Sequence, residues 1–164
     1  MQNGLPGILG DKIDDESIAG SFSVGTGDFY FMFAVKMNSS ISYCGFECIG
    51  TSSNAASFEV TSTTNARWNS TNFTSSTFAV NTAYVLEVFR ESGVVKLIRN
   101  GVQNATTIAD ANNYGTAKSI NIWRGQGNLG NMYMLEFLYK NGSVPSDTEK
   151  ENLRSYVNAR WAIY

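Results

Sequence analysis

Few residues in this chain could do covalent chemistry. There is no histidine, which removes the commonest general base and the usual partner of a nucleophilic serine or cysteine. Cys44 and Cys48 are the only cysteines, and the sequence shows no neighbour that would activate either thiol. Two cysteines without a histidine also fall short of a structural zinc site, so no metal ligand is assigned. Carboxylates remain. Glycoside hydrolysis needs two of them in one cleft, roughly 5–9 Å apart. The segments that read as strands supply Glu47, Glu59, Glu87 and Glu136. Glu136 stands out between Leu135 and Phe137, and its simpler reading is a carboxylate at a strand edge or paired with an arginine. No catalytic residue is assigned, and the chain is expected not to be an enzyme.

Binding chemistry is better represented. Trp68, Trp123, Tyr114 and Tyr43 are the aromatics expected nearest the surface. A sugar offers an apolar ring face to an aromatic and hydroxyls to amides, so a neutral sugar must be held by stacking and by hydrogen bonds on a preorganised surface. Trp68, Trp123, Asn128 and Asn131 are the candidates for such a platform. Trp68, amid Ala66, Arg67, Asn69 and Ser70, leans to exposure. For Trp123, between Ile122 and Arg124, exposure and core packing are equally supported. The glycine-rich run 125–131 lacks the Lys-Ser/Thr of a phosphate loop and leads into a strand, so it reads as a long hairpin turn. Asn-x-Ser/Thr triplets begin at Asn38, Asn69, Asn72, Asn104 and Asn141; a chain so rich in Asn, Ser and Thr produces them by chance.

At 164 residues the chain is one domain, long enough for a real core. Lys and Arg number 12 against 14 Asp and Glu, and charged residues are 16%; Ser, Thr and Asn stand in their place. Two readings remain open: a β protein with hydroxyl-rich solvent faces, or a surface suited to neutral, hydroxyl-rich partners. Nucleic acid is not expected, since no basic patch exists. Nor is membrane insertion, since no apolar run approaches the ~20 residues of a span. Residues 1–10 show no basic start and no long apolar segment, so classical export is not expected, although the chain could be a module excised from a longer protein. In a strand, Cys44 and Cys48 would lie ~13 Å apart, too far for a disulfide. Gly45 could turn the chain and bring them closer, but two reduced thiols are the favoured reading and fit a reducing compartment.

The elements that must position these residues read as strands. Residues 1–16 form a lead-in and 17–164 a single domain. Ser17–Val24 alternates. Phe29–Met37 (FYFMFAVKM) is apolar on both faces, as only a central covered strand would be. Shorter strands follow at Tyr43–Ile49, Ser57–Ser62 and Ala66–Trp68. Tyr84–Arg90 and Val94–Asn100 form a hairpin about Glu91-Ser92-Gly93, and Asn100-Gly101 begins another turn. Lys118–Arg124 and Met132–Tyr139 complete the set. Ser146-Asp147-Thr148-Glu149 is a capping box that opens a helix, with Leu153, Tyr156, Val157 and Trp161 as its apolar stripe. Short strands with regular turn signals indicate a sandwich; a closed barrel would need more even strands.

Two stretches carry a family resemblance. One is AYVLEVFRESGVVKLIRNG, residues 83–101; the other runs from Leu129 through the apolar strand ending in Tyr139, then Val144, Ser146 and Glu149, to Tyr156-Val157 and Trp161. Together they resemble the concanavalin A-like, laminin-G-like jelly-roll modules of bacterial secreted proteins and of bacteriophage tail fibres and other virion proteins. The resemblance implies an all-β, two-sheet antiparallel jelly-roll sandwich (concanavalin A-like) with a short C-terminal helix. Jelly rolls can carry glycosidase activity, but the Glu-x-Asp-x-x-Glu strand pattern of sandwich glycosidases does not occur here. Many members carry a glutamate at the place of Glu136, which points to a structural role. Some laminin-G-like domains bind calcium. The loops offer Asp28, Asp110 and asparagine carbonyls but no acid cluster, so no cofactor is assigned and a structural calcium is not favoured.

The function implied is a non-catalytic recognition module on a virion tail fibre or head appendage, assembled in a bacterial cytoplasm and binding host surface glycan. The alternatives are a purely structural decoration or trimerisation domain that meets only virion proteins, and a carbohydrate-binding module of a secreted bacterial protein. A fibre tip would be a homotrimer, whose avidity offsets weak single sites.

Overall fold

A computed structural model describes residues 8–9, 17–22, 24–38, 44–49, 56–74, 76–115, 118–122, 124–125, 128–129 and 132–164. In chain order the first strands are β1 (Ile8–Leu9), β2 (Ser17–Phe22), β3 (Phe29–Met37), β4 (Cys44–Ile49), β5 (Ala56–Ser62), β6 (Asn65–Trp68) and β7 (Thr71–Phe73). There follow β8 (Ala83–Glu91), β9 (Val94–Arg99), β10 (Val102–Gln103), β11 (Ile108–Ala109), β12 (Lys118–Ile122), β13 (Arg124–Gly125), β14 (Asn128–Leu129), β15 (Met132–Asn141) and the helix α1 (Asp147–Trp161). One sheet has the order β1-β15-β3-β8-β9-β10, with β11 also on β9; the other runs β2-β12-β4-β5-β6-β7. Neighbouring strands pair antiparallel, for example β3 with β8 and β4 with β5. Among the described residues, β13 and β14 pair with each other as a separate two-stranded sheet.

Strand β3 is the axis of the sandwich. Phe29, Phe31, Phe33 and Val35 point between the sheets, where Phe31 meets Phe46 at 4.5 Å and Phe33 meets Phe58 at 5.4 Å between ring centres. Tyr30, Met32 and Ala34 point the other way, into a second apolar cluster with Val157 and Trp161 of α1. Both faces are therefore covered, as the unbroken apolar run requires. The hairpin expected at 83–101 also forms. Ser92 (φ 51°) and Gly93 (φ 76°) make its two-residue turn, and Asn100 (φ 48°) and Gly101 (φ 79°) make the next. Both central residues lie at positive φ, as the type I′ turns that match strand twist demand.

The last strand carries a bulge. Met134 pairs with Val35 but Glu136 pairs with Ala34, so Leu135 is the extra residue. The inward set Met132 and Met134 then becomes Phe137 and Tyr139. Leu135 falls on the helix side, and so does Glu136, which accepts the Trp161 Nε1–H at 2.8 Å. Arg160 Nε is 3.8 Å from the same carboxylate. The structural reading of Glu136 is the one observed.

The capping box is present: Ser146 Oγ accepts from the Glu149 amide at 3.3 Å, and Glu149 Oε2 from the Ser146 amide at 2.7 Å. These bonds, with the helix N-terminus behind them, hold the Glu149 carboxyl below the usual range. The stripe differs from expectation. Tyr156 is exposed, while Lys150, Val157 and Trp161 are buried and Leu153 is half-buried. At 100° per residue the docked face runs 150-154-157-161, about a third of a turn from Tyr156. It admits two cations. Lys150 Nζ lies 4.9 Å from the Phe89 ring centre, and Arg154 Nη1 donates to Glu87 Oε1 at 2.9 Å.

Two strands differ from expectation. Ile8 and Leu9, expected in the lead-in, pair with Met134 and Tyr133 at the sheet edge. The 118–124 strand ends at Ile122, and Arg124 opens the separate β13–β14 hairpin.

Strand β4 is continuous through Gly45, so the turn that might have joined Cys44 to Cys48 is absent. A Cβ at Gly45 would lie 1.9 Å from the Phe58 carbonyl oxygen. Glycine is thus required by close strand approach, not by a turn. Denatured, unreduced protein should yield two titratable thiols; finding none would contradict a continuous β4.

Candidate functional site

The aromatic platform expected on the surface is not there. Trp68 is 1% exposed. Its ring stacks on Phe29 at 5.2 Å and meets Tyr114 edge-on at 5.9 Å. Its Nε1–H points to both Asp110 Oδ2 (3.0 Å) and the Tyr114 hydroxyl (3.1 Å). Tyr114, also expected near the surface, is fully buried and donates its hydroxyl to Asp110 at 2.8 Å. Burial and that acceptor push the Tyr114 phenol up to about 12. Arg90 closes the cluster. It donates to the carbonyls of Gly25, Gly27 and Asn112, and its Nη1 is 3.5 Å from Asp110. Trp68 is buried because it alternates with Arg67 on β6, which turns Ala66 and Trp68 inward together. Asp110 is consumed by this cluster, and Asp28 accepts the Ser92 amide, so both acids weighed for calcium have protein partners. Trp123, Asn131 and Tyr43 lie outside the described residues, as does the Asn128 side chain. Asn128 itself pairs through its backbone with Gly125.

The four strand acids sort by neighbour. Glu87 is fully buried under the helix and accepts from Tyr30 Oη (2.9 Å) and Arg154. Burial, then the Glu87 charge, push the Tyr30 phenol far up. Glu47 and Glu59 do share a face of adjacent strands. Glu47 lies opposite Ser57, and Glu59 opposite Gly45, a diagonal pair about 7–8 Å apart by sheet geometry. Glu59, however, is 0% exposed and faces Arg67 Nε at 2.8 Å, in poor hydrogen-bond alignment. Burial raises its carboxyl, against the pull of Arg67. The two acids share a face, but Glu59 has no opening to solvent.

An open site forms elsewhere, at one end of the sandwich. A two-lobed cleft lies between residues 76–79 and the β9–β10 turn; both lobes share Phe78, Arg99 and Val102. One lobe, of about 250 Å³, adds Ser76, Leu97, Gln103 and Asn104. The other, of about 430 Å³, adds Thr77, Ala79, Tyr84 and Asn100. The Asn100-Gly101 turn folds Val102 back beside Arg99. The opposite wall is pinned by the Phe78 amide to the Thr63 carbonyl (2.7 Å) and by the Ala79 amide to Tyr84 Oη (2.7 Å). Phe78 and Tyr84 meet edge-on at 5.5 Å. The Arg99 guanidinium lies over both rings, at 5.6 and 6.0 Å, and its Nη1 donates to the Thr77 carbonyl and hydroxyl. No described Asp or Glu lines either lobe.

None of these cleft residues was a sequence candidate. The Asn100-Gly101 turn was the available signal, since it sets Arg99 and Val102 side by side. That Phe78 and Tyr84 come beneath them follows only from tertiary packing.

No family model matches this chain, and no curated protein matches it. Solved structures do match. The Trypanosoma rangeli sialidase in complex with the inhibitor DANA superposes at a TM-score of 0.59, 9% identical over 79% of this chain and 23% of that one. The native heptameric SAP-like pentraxin from Limulus polyphemus superposes at 0.60, 9% identical over 85% of this chain and 76% of that one. The fold is a jelly-roll sandwich. The sialidase match spans under a quarter of that enzyme's length, and at 9% identity both likenesses concern fold alone.

Proposed function

We propose that the chain is a non-catalytic recognition module that binds a surface glycan in the Arg99 cleft. The observation that carries this reading is the make-up of that cleft: an apolar floor and wall, one cation and several amides and hydroxyls, held by bonds already formed in the free protein. Small-ligand sites have this composition, with few polar groups fixing orientation inside an apolar hollow. Preorganisation matters most for sugars, whose hydroxyls give little net gain on leaving water. The non-catalytic part rests on the enclosure of Glu59 and the lack of histidine.

The setting proposed is a virion, on a tail fibre or head appendage, with host glycan as the ligand and a homotrimer supplying avidity. The two stretches that resemble virion jelly-roll modules, residues 83–101 and 129–161, support it. A glycan array probed with the labelled, multivalently displayed protein tests the reading. Retention on one class of glycan is expected; a blank array under multivalent display would leave a structural decoration role instead.

A further inference from the structure

Arg99 differs from Arg67, Arg90, Arg154 and Arg160. Arg67 lies against Glu59, Arg90 against Asp110, Arg154 against Glu87 and Arg160 against Glu136. Arg99 meets no carboxylate among the described residues. It is held instead by neutral groups: Thr77 accepts from Nη1, and the Phe78 and Tyr84 ring centres lie 5.6 and 6.0 Å from its guanidinium carbon. An arginine keeps its charge throughout the accessible pH range. In this cleft that charge is fixed in place and has no counter-ion among the described residues.

We infer that the cleft takes a carboxylate-bearing sugar, a uronic or sialic acid unit, whose carboxylate binds Arg99; the inference rests on the glycan reading above. Nη1 is committed to Thr77, so the Nε–Nη2 edge is the one that makes no bond to a described residue. That edge presents two parallel N–H donors with the spacing of a carboxylate, a match that adds geometry to charge. The Thr77 bonds and the two ring contacts hold the guanidinium in place, so little side-chain freedom is lost on binding.

The remaining polar groups divide cleanly. Asn104 has both Nδ2 hydrogens committed, to the Thr74 carbonyl and Ser76 Oγ, while Oδ1 accepts the Thr106 amide. It shapes the wall and has no donor left for a ligand. Asn100 uses Oδ1 on the Val85 amide, which leaves its Nδ2 donors. Gln103 is exposed with no side-chain partner among the described residues. Asn100 and Gln103 are therefore the amides for the ligand's hydroxyls. Val102, 70% exposed, offers the apolar contact for a ring face.

The test compares sialylated and uronate-containing oligosaccharides with their carboxyl-reduced neutral derivatives, by calorimetric titration of wild type, Arg99→Gln, Arg99→Lys and Gln103→Ala. Wild type should prefer the acid form by roughly ten- to hundredfold, the range for hydrogen bonds to a charged group. Arg99→Gln should erase the preference, and Arg99→Lys should keep part of it without the geometric match. Gln103→Ala, at an exposed position, should weaken both forms alike, with the melting curve unchanged, and places the ligand in this cleft; Arg99→Lys carries the test of the acid preference if Arg99→Gln destabilises the wall. Equal affinity of wild type for acid and reduced forms would overturn the inference and leave glycan binding standing. So would an acid preference that survives Arg99→Gln. Failure to bind either form, with a blank array, would overturn both.

Discussion

Replacing Trp68 by alanine is expected to lower the melting temperature by about 6–20 °C. Truncating a buried tryptophan costs about 3–5 kcal/mol, and each kcal/mol moves a domain of this size by about 2–4 °C. The loss has two parts. The ring leaves a void beside Phe29, Phe46 and Tyr114. The indole N–H also disappears from the Asp110 carboxylate, which sits 4% exposed and must then rely on Tyr114 and Arg90. Because the side chain is not at the surface, ligand binding measured well below the melting temperature should survive. A melting temperature within a degree or two of wild type, with binding abolished, would restore Trp68 as a surface platform.

Trp161→Ala should have an effect of similar size, about 3–5 kcal/mol, from the opposite side of the seven-stranded sheet. Trp161 is 3% exposed and shares a cluster with Tyr30, Met32, Val85 and Val157. Its removal also deprives Glu136 of the N–H it accepts. A helix of 15 residues is marginal in water without a docking surface, so part of the helical circular dichroism should be lost together with stability. Unchanged ellipticity and a shift of only a degree or two would mean that the helix is held by Val157, Lys150 and Arg154 without the tryptophan.

What the sequence made legible was local. The two-faced apolar pattern of 29–37, the turns at Ser92-Gly93 and Asn100-Gly101, and the Ser146–Glu149 box each lie within a few residues, and each formed as expected. Trp68 was misplaced because a strand of four residues offers one alternation, too little to outweigh polar neighbours. Tyr156 was misplaced because Lys150 and Arg154 hold the docked face instead; their aliphatic stems bury while the charged heads find Phe89 and Glu87. The Glu47–Glu59 pairing depends on register between β4 and β5, and the bulge at Leu135 on register between β3 and β15. Neither is written in one strand alone. The Arg99 cleft draws on three separated segments, so no window of the sequence contains it.

The most direct test of the account is amide chemical-shift mapping with a glycan retained on the array. The largest shifts should fall at Thr77, Phe78, Asn100, Val102 and Gln103, with the Arg99 side-chain Nε–H moving alongside them. Shifts centred instead on Glu47, Ser57, Glu59 and Arg67 would contradict the cleft as the binding site and return attention to the outer face of the six-stranded sheet.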